Sequence, residues 1–289
     1  MISNKDKAIK TTYLSILGNA ALAIAKGITG FFGNSYALIA DAIESTTDVF
    51  SSLMVLFGLK YSTRPPDKNH PYGHGKAEPL VTFIVVGFLV MSATVIAYEA
   101  IDHIRTPHKT PETYTLLVLG IVILIKEGFY RFVSKKGKET NSTSLNADAW
   151  HHRSDAITSA FAFVGISIAV YMGPGYETAD DWAALIASGF IYYNAFLIFR
   201  PALGEVMDEH FYDDLVEDIR KISKNVEGVV DTEKCLVRKT GLTYHVDLHM
   251  IVDKNITVKE GHTIAHRLKK VLIREIPEIS DVLIHMEPD

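Results

Sequence analysis

The sequence predicts a bundle of six membrane-spanning helices followed by a small soluble α+β domain of order αββαβ. Three observations carry this reading. Hydrophobic residues make up 48% of the 289-residue chain and its mean hydropathy is +0.14, too apolar for a disordered chain or a simple water-soluble enzyme. Charge is unevenly shared: residues 208–289 hold 12 Lys and Arg against 17 Asp and Glu, whereas the first 207 balance 17 against 17. The whole net charge of −5 therefore lies on the tail. Finally, the front contains six apolar segments of roughly 20 residues, the length that crosses a bilayer. Residues 1–207 are thus expected to form the membrane domain and 208–289 the soluble one.

In order, the expected spans are Leu14–Phe32, Tyr36–Tyr61, Pro79–Ile101, Tyr114–Val133, Ala147–Met172 and Asp181–Phe199. The second and fifth carry charge, and their assignment leans on the turn signals between spans: Gly33-Asn34, Arg64-Pro65-Pro66, Thr106-Pro107 and Gly173-Pro174-Gly175. The apolar stretch after MISNKDKAIK has no small-residue cleavage site and is too long for a signal sequence, so it reads as a retained first span. With the N-terminus inside, the inner segments carry eleven Lys and Arg, from Lys5 to Lys138, and the outer loops only Arg105 and Lys109. The positive-inside rule then places both termini and the tail in the cytoplasm.

The tail opens with a helix from about Tyr212 to Val226, in which Leu215, Ile219, Ile222 and Val226 recur at helical spacing. Strands are expected over 229–239 and 242–252 around the turn Thr240-Gly241, the second alternating Tyr244, Val246, Leu248, Met250 and Val252 with polar positions. A helix over Val258–Glu275 and a strand over Asp281–Met286 complete the order. The lone Cys235 cannot form an intramolecular disulfide and is expected as a buried strand thiol. An acidic tail argues against nucleic acid as a partner and suits a cation.

Chemistry concentrates in the apolar part. Asp41, Glu44 and Asp48 lie in the second span, with Glu44 and Asp48 one turn apart on one face. At roughly 3 kcal/mol per mid-membrane carboxylate, three acids cost on the order of 9 kcal/mol, so this face must meet protein, water or a cation. The fifth span supplies the complement, His151 and Asp155, again four residues apart. Three carboxylates and an imidazole suit Zn²⁺ or another divalent first-row metal; a buried polar network or proton relay without metal is the alternative. His152 and Arg153 are expected to face a cavity, the headgroups or a partner helix, and Asp41 to serve packing or a pathway as readily as ligation.

Between spans two and three, Asp67, His70 and His74 in DKNHPYGHGKAE could converge on a metal because Pro71 and Gly73 let the loop fold back; a solvated loop with incidental histidines is the rival reading. Six of the chain's twelve His fall in the tail. His249 is on the second strand, His262 on the second helix, and His285 with Glu287 at the end of the last strand; His266 could assist His262.

Taken together, the six spans, ADAIESTTD, DKNHPYGHGKAE, NADAWHHRSD and the ending DVLIHMEP resemble, in order and over nearly the whole chain, the cation diffusion facilitators. The resemblance implies a homodimeric, proton-coupled exporter of divalent metal in the cell inner membrane, with a ferredoxin-like cytoplasmic domain. Carried over by position, it implies a transport site of Glu44, Asp48, His151 and Asp155, a loop site of Asp67, His70 and His74, and a cytoplasmic site of His249, His262, His285 and Glu287. Two departures stand out. Glu233 occupies a place where some bacterial members have a histidine ligand, and Glu44 a place where zinc-specific animal members have His and several bacterial members Asp. The HxxxD form of the fifth span resembles zinc and iron members, so Zn²⁺ and then Fe²⁺ are the expected cargo and the expected regulatory ions of the tail, with no catalytic cofactor. A membrane metallohydrolase would need a metal-activated water and a base, and the chain has neither HExxH nor a serine nucleophile motif. A non-transporting metal-sensing scaffold is the remaining alternative.

Overall fold

The computed structural model describes residues 4–32, 36–105, 114–173, 175–176, 178–209 and 212–289, and, within the second helix, side chains from Ser45 onward other than Thr47. The turn signals Gly33-Asn34 and Thr106-Pro107, Pro174, the outer-loop Lys109 and His210 lie outside the described residues, as do the side chains of Asp41 and Glu44.

Among the described residues six long helices come first: α1 Asn4–Phe32, α2 Tyr36–Ser62, α3 Ala77–Arg105, α4 Tyr114–Thr140, α5 Thr143–Met172 and α6 Ala179–Val206. They extend beyond the apolar segments, α1 from Asn4 and not Leu14, α4 to Thr140 and not Val133. Polar ends such as NKDKAIK and SKKGKET remain helical because the α-helix satisfies its own backbone in water as in lipid, whereas hydropathy registers only the apolar middle. Four of the described helices are long and apolar enough to cross a membrane: Asn4–Ala25, Ala77–Arg105, Thr143–Met172 and Asp181–Val206. The other two long helices, α2 and α4, are interrupted by ionisable residues, Asp48 in one and Lys126 and Glu127 in the other.

The chain divides into two compact units, Met1–Ser62 with Ala77–Ala202, and Thr63–Lys76 with Leu203–Asp289. In the first, α1 packs against α2 and α4 against α5, and α2 also meets α3 and α5. Its polarity is inverted relative to a soluble bundle. Thr12, Ser15, Asn19, Ser52, Asp148 and His152 are fully buried, while Leu117 and Leu124 are more than 70% exposed. An apolar exterior over a polar interior is the arrangement a helix bundle adopts when lipid is its solvent. The turn from α4 to α5 is fixed by Glu78 of α3, which is fully buried and accepts hydrogen bonds from the Ser142 hydroxyl, the Ser144 hydroxyl (3.1 Å) and the Ser144 amide (3.2 Å). This puts a carboxylate at the N-terminus of α5, where the helix dipole favours it.

The second unit contains α7 Asp213–Lys224, β1 Asp231–Thr240, β2 Thr243–Val252, α8 Val258–Glu275 and β3 Ile279–Pro288, the expected order αββαβ. Strand order is β1-β2-β3, with β2 antiparallel to β1 and parallel to β3. Gly241, at φ 63°, closes the β1–β2 turn, and α8 provides the crossover that a parallel pair requires. A capping box of Thr257 and Glu260 starts α8. One sheet face is covered by the helices, with Ile219, Val246, Leu248, Met250, Leu268 and Leu272 forming the core. Cys235 is buried there as a free thiol, its pKa pushed up to about 11 by burial.

Candidate metal centres

Three groups of histidines and carboxylates among the described residues bring ligand atoms within 4.8 Å of one another. One lies in the helix bundle, and two in the second unit.

In the bundle, Asp48 of α2 faces His151 and Asp155 of α5. The i,i+4 spacing stacks the latter two on one face, and α2 and α5 pack closely enough to join them to Asp48. His151 Nε2 stands 2.8 Å from Asp48 Oδ1, and the buried His151 Nδ1 has no hydrogen-bond partner among the described residues. The side chain of Glu44, one turn before Asp48, lies outside the described residues. A fourth group occupies the centre. Lys126 of α4, 2% exposed, donates to Asp48 Oδ2 at 2.6 Å and to Asp155 Oδ2 at 2.8 Å. The sequence contained a signal for it, a single lysine in the apolar run LLVLGIVILIKEGF, because an intramembrane cation is a functional residue by default. Its role was not legible, because pairing with two helices distant in sequence has no periodicity.

Beside this cluster lies a second polar network. Asp148 accepts from Ser15 (2.9 Å) and Ser52 (2.9 Å), and Ser15 Oγ is 2.7 Å from His152 Nε2. His152 is therefore fully buried against α1, not turned to headgroups or an open cavity. Small hydroxyl residues on α1 and α2 leave room for the ring and give it a partner. Arg153 donates to the Tyr130 hydroxyl at 2.7 Å and lies over the Tyr130 and Trp150 rings.

The loop group lies wholly within the second unit. Asp67 Oδ1 accepts from the amides of Asn69 (2.9 Å) and His70 (2.7 Å), an Asx-type turn. The His70 amide first, then that of Asn69, holds the Asp67 carboxyl below the usual carboxylate range. His70 Nδ1 and the buried His74 Nε2 each lie 3.2 Å from this carboxylate, and their rings are 4.4 Å apart. Gly73, at φ 84°, makes the reversal that brings His74 back. The loop is also seated: a Cβ on Gly75 would stand 2.6 Å from the Thr240 carbonyl carbon, and Lys76 donates to the Glu205 carbonyl and to Asp208, both at 2.5 Å.

In the tail group, His249 and His285 are register partners on β2 and β3 with rings 4.8 Å apart. Glu287 Oε1 lies 2.5 Å from His249 Nδ1 and 3.9 Å from His285 Nε2. His262 is not in this group; its ring lies 4.4 Å from His266 on α8. The sheet separates the two, because His249 and His285 point away from the face that α8 covers. Glu233 lies beside Glu287 instead, outside that group. The irregularity between Thr232 and Cys235 in β1 turns it outward, and its carboxyl shares a hydrogen bond with Glu287. That bond and the neighbouring charge raise the pKa of Glu233, while the bonds from Glu233 and His249 lower that of Glu287.

Residues 12–207 match the family model of the cation efflux transmembrane domain, and residues 211–289 that of the cation efflux protein cytoplasmic domain. The manganese efflux system protein MneP of Bacillus subtilis is 31% identical over 96% of this chain and 95% of its own length. Metal tolerance protein C1 of Arabidopsis thaliana is 31% identical over 98% of this chain and 63% of its own. The cation-efflux pump FieF of Yersinia enterocolitica is 27% identical over 98% of this chain and 92% of its own.

Proposed function

The chain belongs to the cation efflux family, and on that premise we propose that it is a homodimeric antiporter that exports a divalent transition metal from the cytoplasm in exchange for protons, with Zn²⁺ the first candidate and Fe²⁺ the second. Members of this family are membrane metal transporters and not enzymes. The reading of this chain rests above all on Asp48, His151 and Asp155 meeting inside an apolar bundle, with Glu44 one helical turn from Asp48 as the fourth ligand. All six long helices cross the inner membrane in this proposal, with both termini cytoplasmic. Residues 1–207 carry out transport, and 208–289 form a ferredoxin-like regulatory domain through which two copies pair.

Carboxylates and an imidazole bind either metal or protons. Each unit of pH difference across the membrane supplies about 1.4 kcal/mol per proton, so an acidic exterior drives release there while the helices rock around the site. Asp67, His70 and His74 form a loop site. His249, His285 and Glu287, with Glu233 beside them, form a regulatory site whose ion is the exported one; His262 lies outside that set.

A second cargo, Mn²⁺, is supported by the three carboxylates against one imidazole in the transport set and by the manganese efflux protein among the relatives. Proteoliposomes loaded with a metal-sensitive dye separate these readings. Zn²⁺ or Fe²⁺ flux driven by an imposed pH gradient is expected. Faster Mn²⁺ flux would exchange the cargo, flux indifferent to the gradient would remove proton coupling, and no flux of any of the three would leave a metal-sensing scaffold.

A further inference from the structure

We infer that Lys126 is a tethered counter-cation of the membrane site, which occupies the Asp48–Asp155 carboxylate pair when no metal is bound and must leave it when a divalent cation binds. The inference rests on the reading of Asp48, His151 and Asp155 as the transport site and adds a residue to it from a helix that supplies none of those ligands. The ammonium bridges the two carboxylates at 2.6 and 2.8 Å, and the remaining Asp48 oxygen is taken by His151. Both Asp48 oxygens are thus engaged. A divalent ion that took these oxygens, at about 2.0–2.2 Å, would stand close beside the ammonium. Like-charge repulsion at such a separation, inside a buried site, is strong. The lysine stem is unbranched and flexible, so its head can swing aside without moving α4.

Charge count gives the exchange its purpose. Asp48 and Asp155 bring two negative charges: a divalent cation cancels both when it is bound, and Lys126 offsets one of them when it is not. The empty site would otherwise hold like charges with no counter-ion in a medium that penalises them. Lys126 therefore lowers metal affinity to a level that permits release and keeps the empty site closed. It acts through Asp48 and Asp155 and is in that sense a positioning residue.

Calorimetry of Zn²⁺ and of Mn²⁺ with the full-length protein in detergent tests this, with the Asp48→Asn/Asp155→Asn variant as the blank for the loop and tail sites. Lys126→Gln should bind at least about tenfold more tightly, because a repelling charge is removed, and should transport with a lower KM and a lower maximal rate. Lys126→Arg, which keeps the charge and adds a second pair of donors, should bind no more tightly than wild type. A merely structural salt bridge would instead weaken binding in Lys126→Gln and be restored by Arg, and that result overturns the inference while leaving the site intact. Should Lys126→Gln not fold, binding by Lys126→Arg tighter than wild type overturns it equally. If the blank binds as many ions as wild type, the site reading itself falls, and the inference with it.

Discussion

Each member of the pair Asp48 and Asp155 gives Lys126 a partner, so losing one has a different consequence from losing both. Asp48→Asn or Asp155→Asn removes a proposed ligand while Lys126 keeps one carboxylate. Transport should fall by at least about 100-fold, since even a group that only supports a metal ligand is worth about 10–100-fold. Thermal unfolding in detergent should change by no more than a few degrees. The double variant leaves a buried ammonium uncompensated, a defect that costs about 3–5 kcal/mol, so its unfolding temperature should drop well beyond the sum of the single effects. Additive behaviour would mean that Lys126 is satisfied elsewhere. At the tail, Glu233→Ala should raise the half-saturating Zn²⁺ concentration of the regulatory site, because the carboxyl paired with Glu287 is a potential ligand; unchanged binding would make it a bystander.

Elements determine which of these residues were legible beforehand. Periodicity exposed Glu44 with Asp48 and His151 with Asp155, because a helix places every fourth residue on one face and an apolar background makes acids conspicuous. It also gave α8 to the residue and β2 nearly so, where alternation and the Thr240-Gly241 turn agree. It could not reveal that Lys126 of α4 closes the site, that Asp148 and His152 are held by hydroxyls of α1 and α2, or that an irregular β1 turns Glu233 toward Glu287 while the sheet keeps His262 away. Those depend on packing between segments far apart in sequence.

The seating of the 63–76 loop gives a test at the same scale. A methyl at Gly75 would meet Thr240 main-chain atoms at 2.6 and 2.7 Å, closer than any Cβ tolerates, and backbone cannot give way as a side chain can. Gly75→Ala should therefore weaken metal binding by Asp67, His70 and His74 without altering a ligand, as read by calorimetry on a background lacking the tail histidines. Acid provides another test. Asp281 is held below the usual carboxylate range by its hydrogen bond to Lys269, and Asp231 by its bond to Lys224. For a depressed carboxyl the stabilisation is complete above the unfolded-state value, near about pH 4, and is lost as pH falls through the lower folded-state value. The tail's unfolding temperature should thus hold from neutrality to about pH 5 and decline below it, with a shallower decline in Asp281→Asn. An unchanged slope would assign the acid sensitivity to other groups.

Across the whole molecule, charge and candidate metal ligands are divided between two parts of the chain, to which the proposed function assigns transport and sensing. The first 207 residues are balanced, whereas the tail carries the entire −5 and places Glu233, His249, His285 and Glu287 on the sheet face that its helices leave uncovered. In the proposed reading two such tails repel until cations arrive, and a bound metal then acts both as a ligand-holder and as a counter-charge. Coupling between two sites is a free energy shared by both, so on that reading metal that draws the tails together would also bias the membrane part. The isolated tail, about residues 208–289, should be a dimer that becomes more compact in X-ray scattering as Zn²⁺ is added, with a weaker response in high salt, where repulsion is already screened. In the full chain, His249→Ala/His285→Ala should shift the cytoplasmic metal concentration that half-activates transport upward and leave the maximal rate near wild type, because the membrane ligands are untouched. If the double variant instead transports with the wild-type concentration dependence, the tail only joins two copies, and Asp48, His151 and Asp155 respond to metal without it.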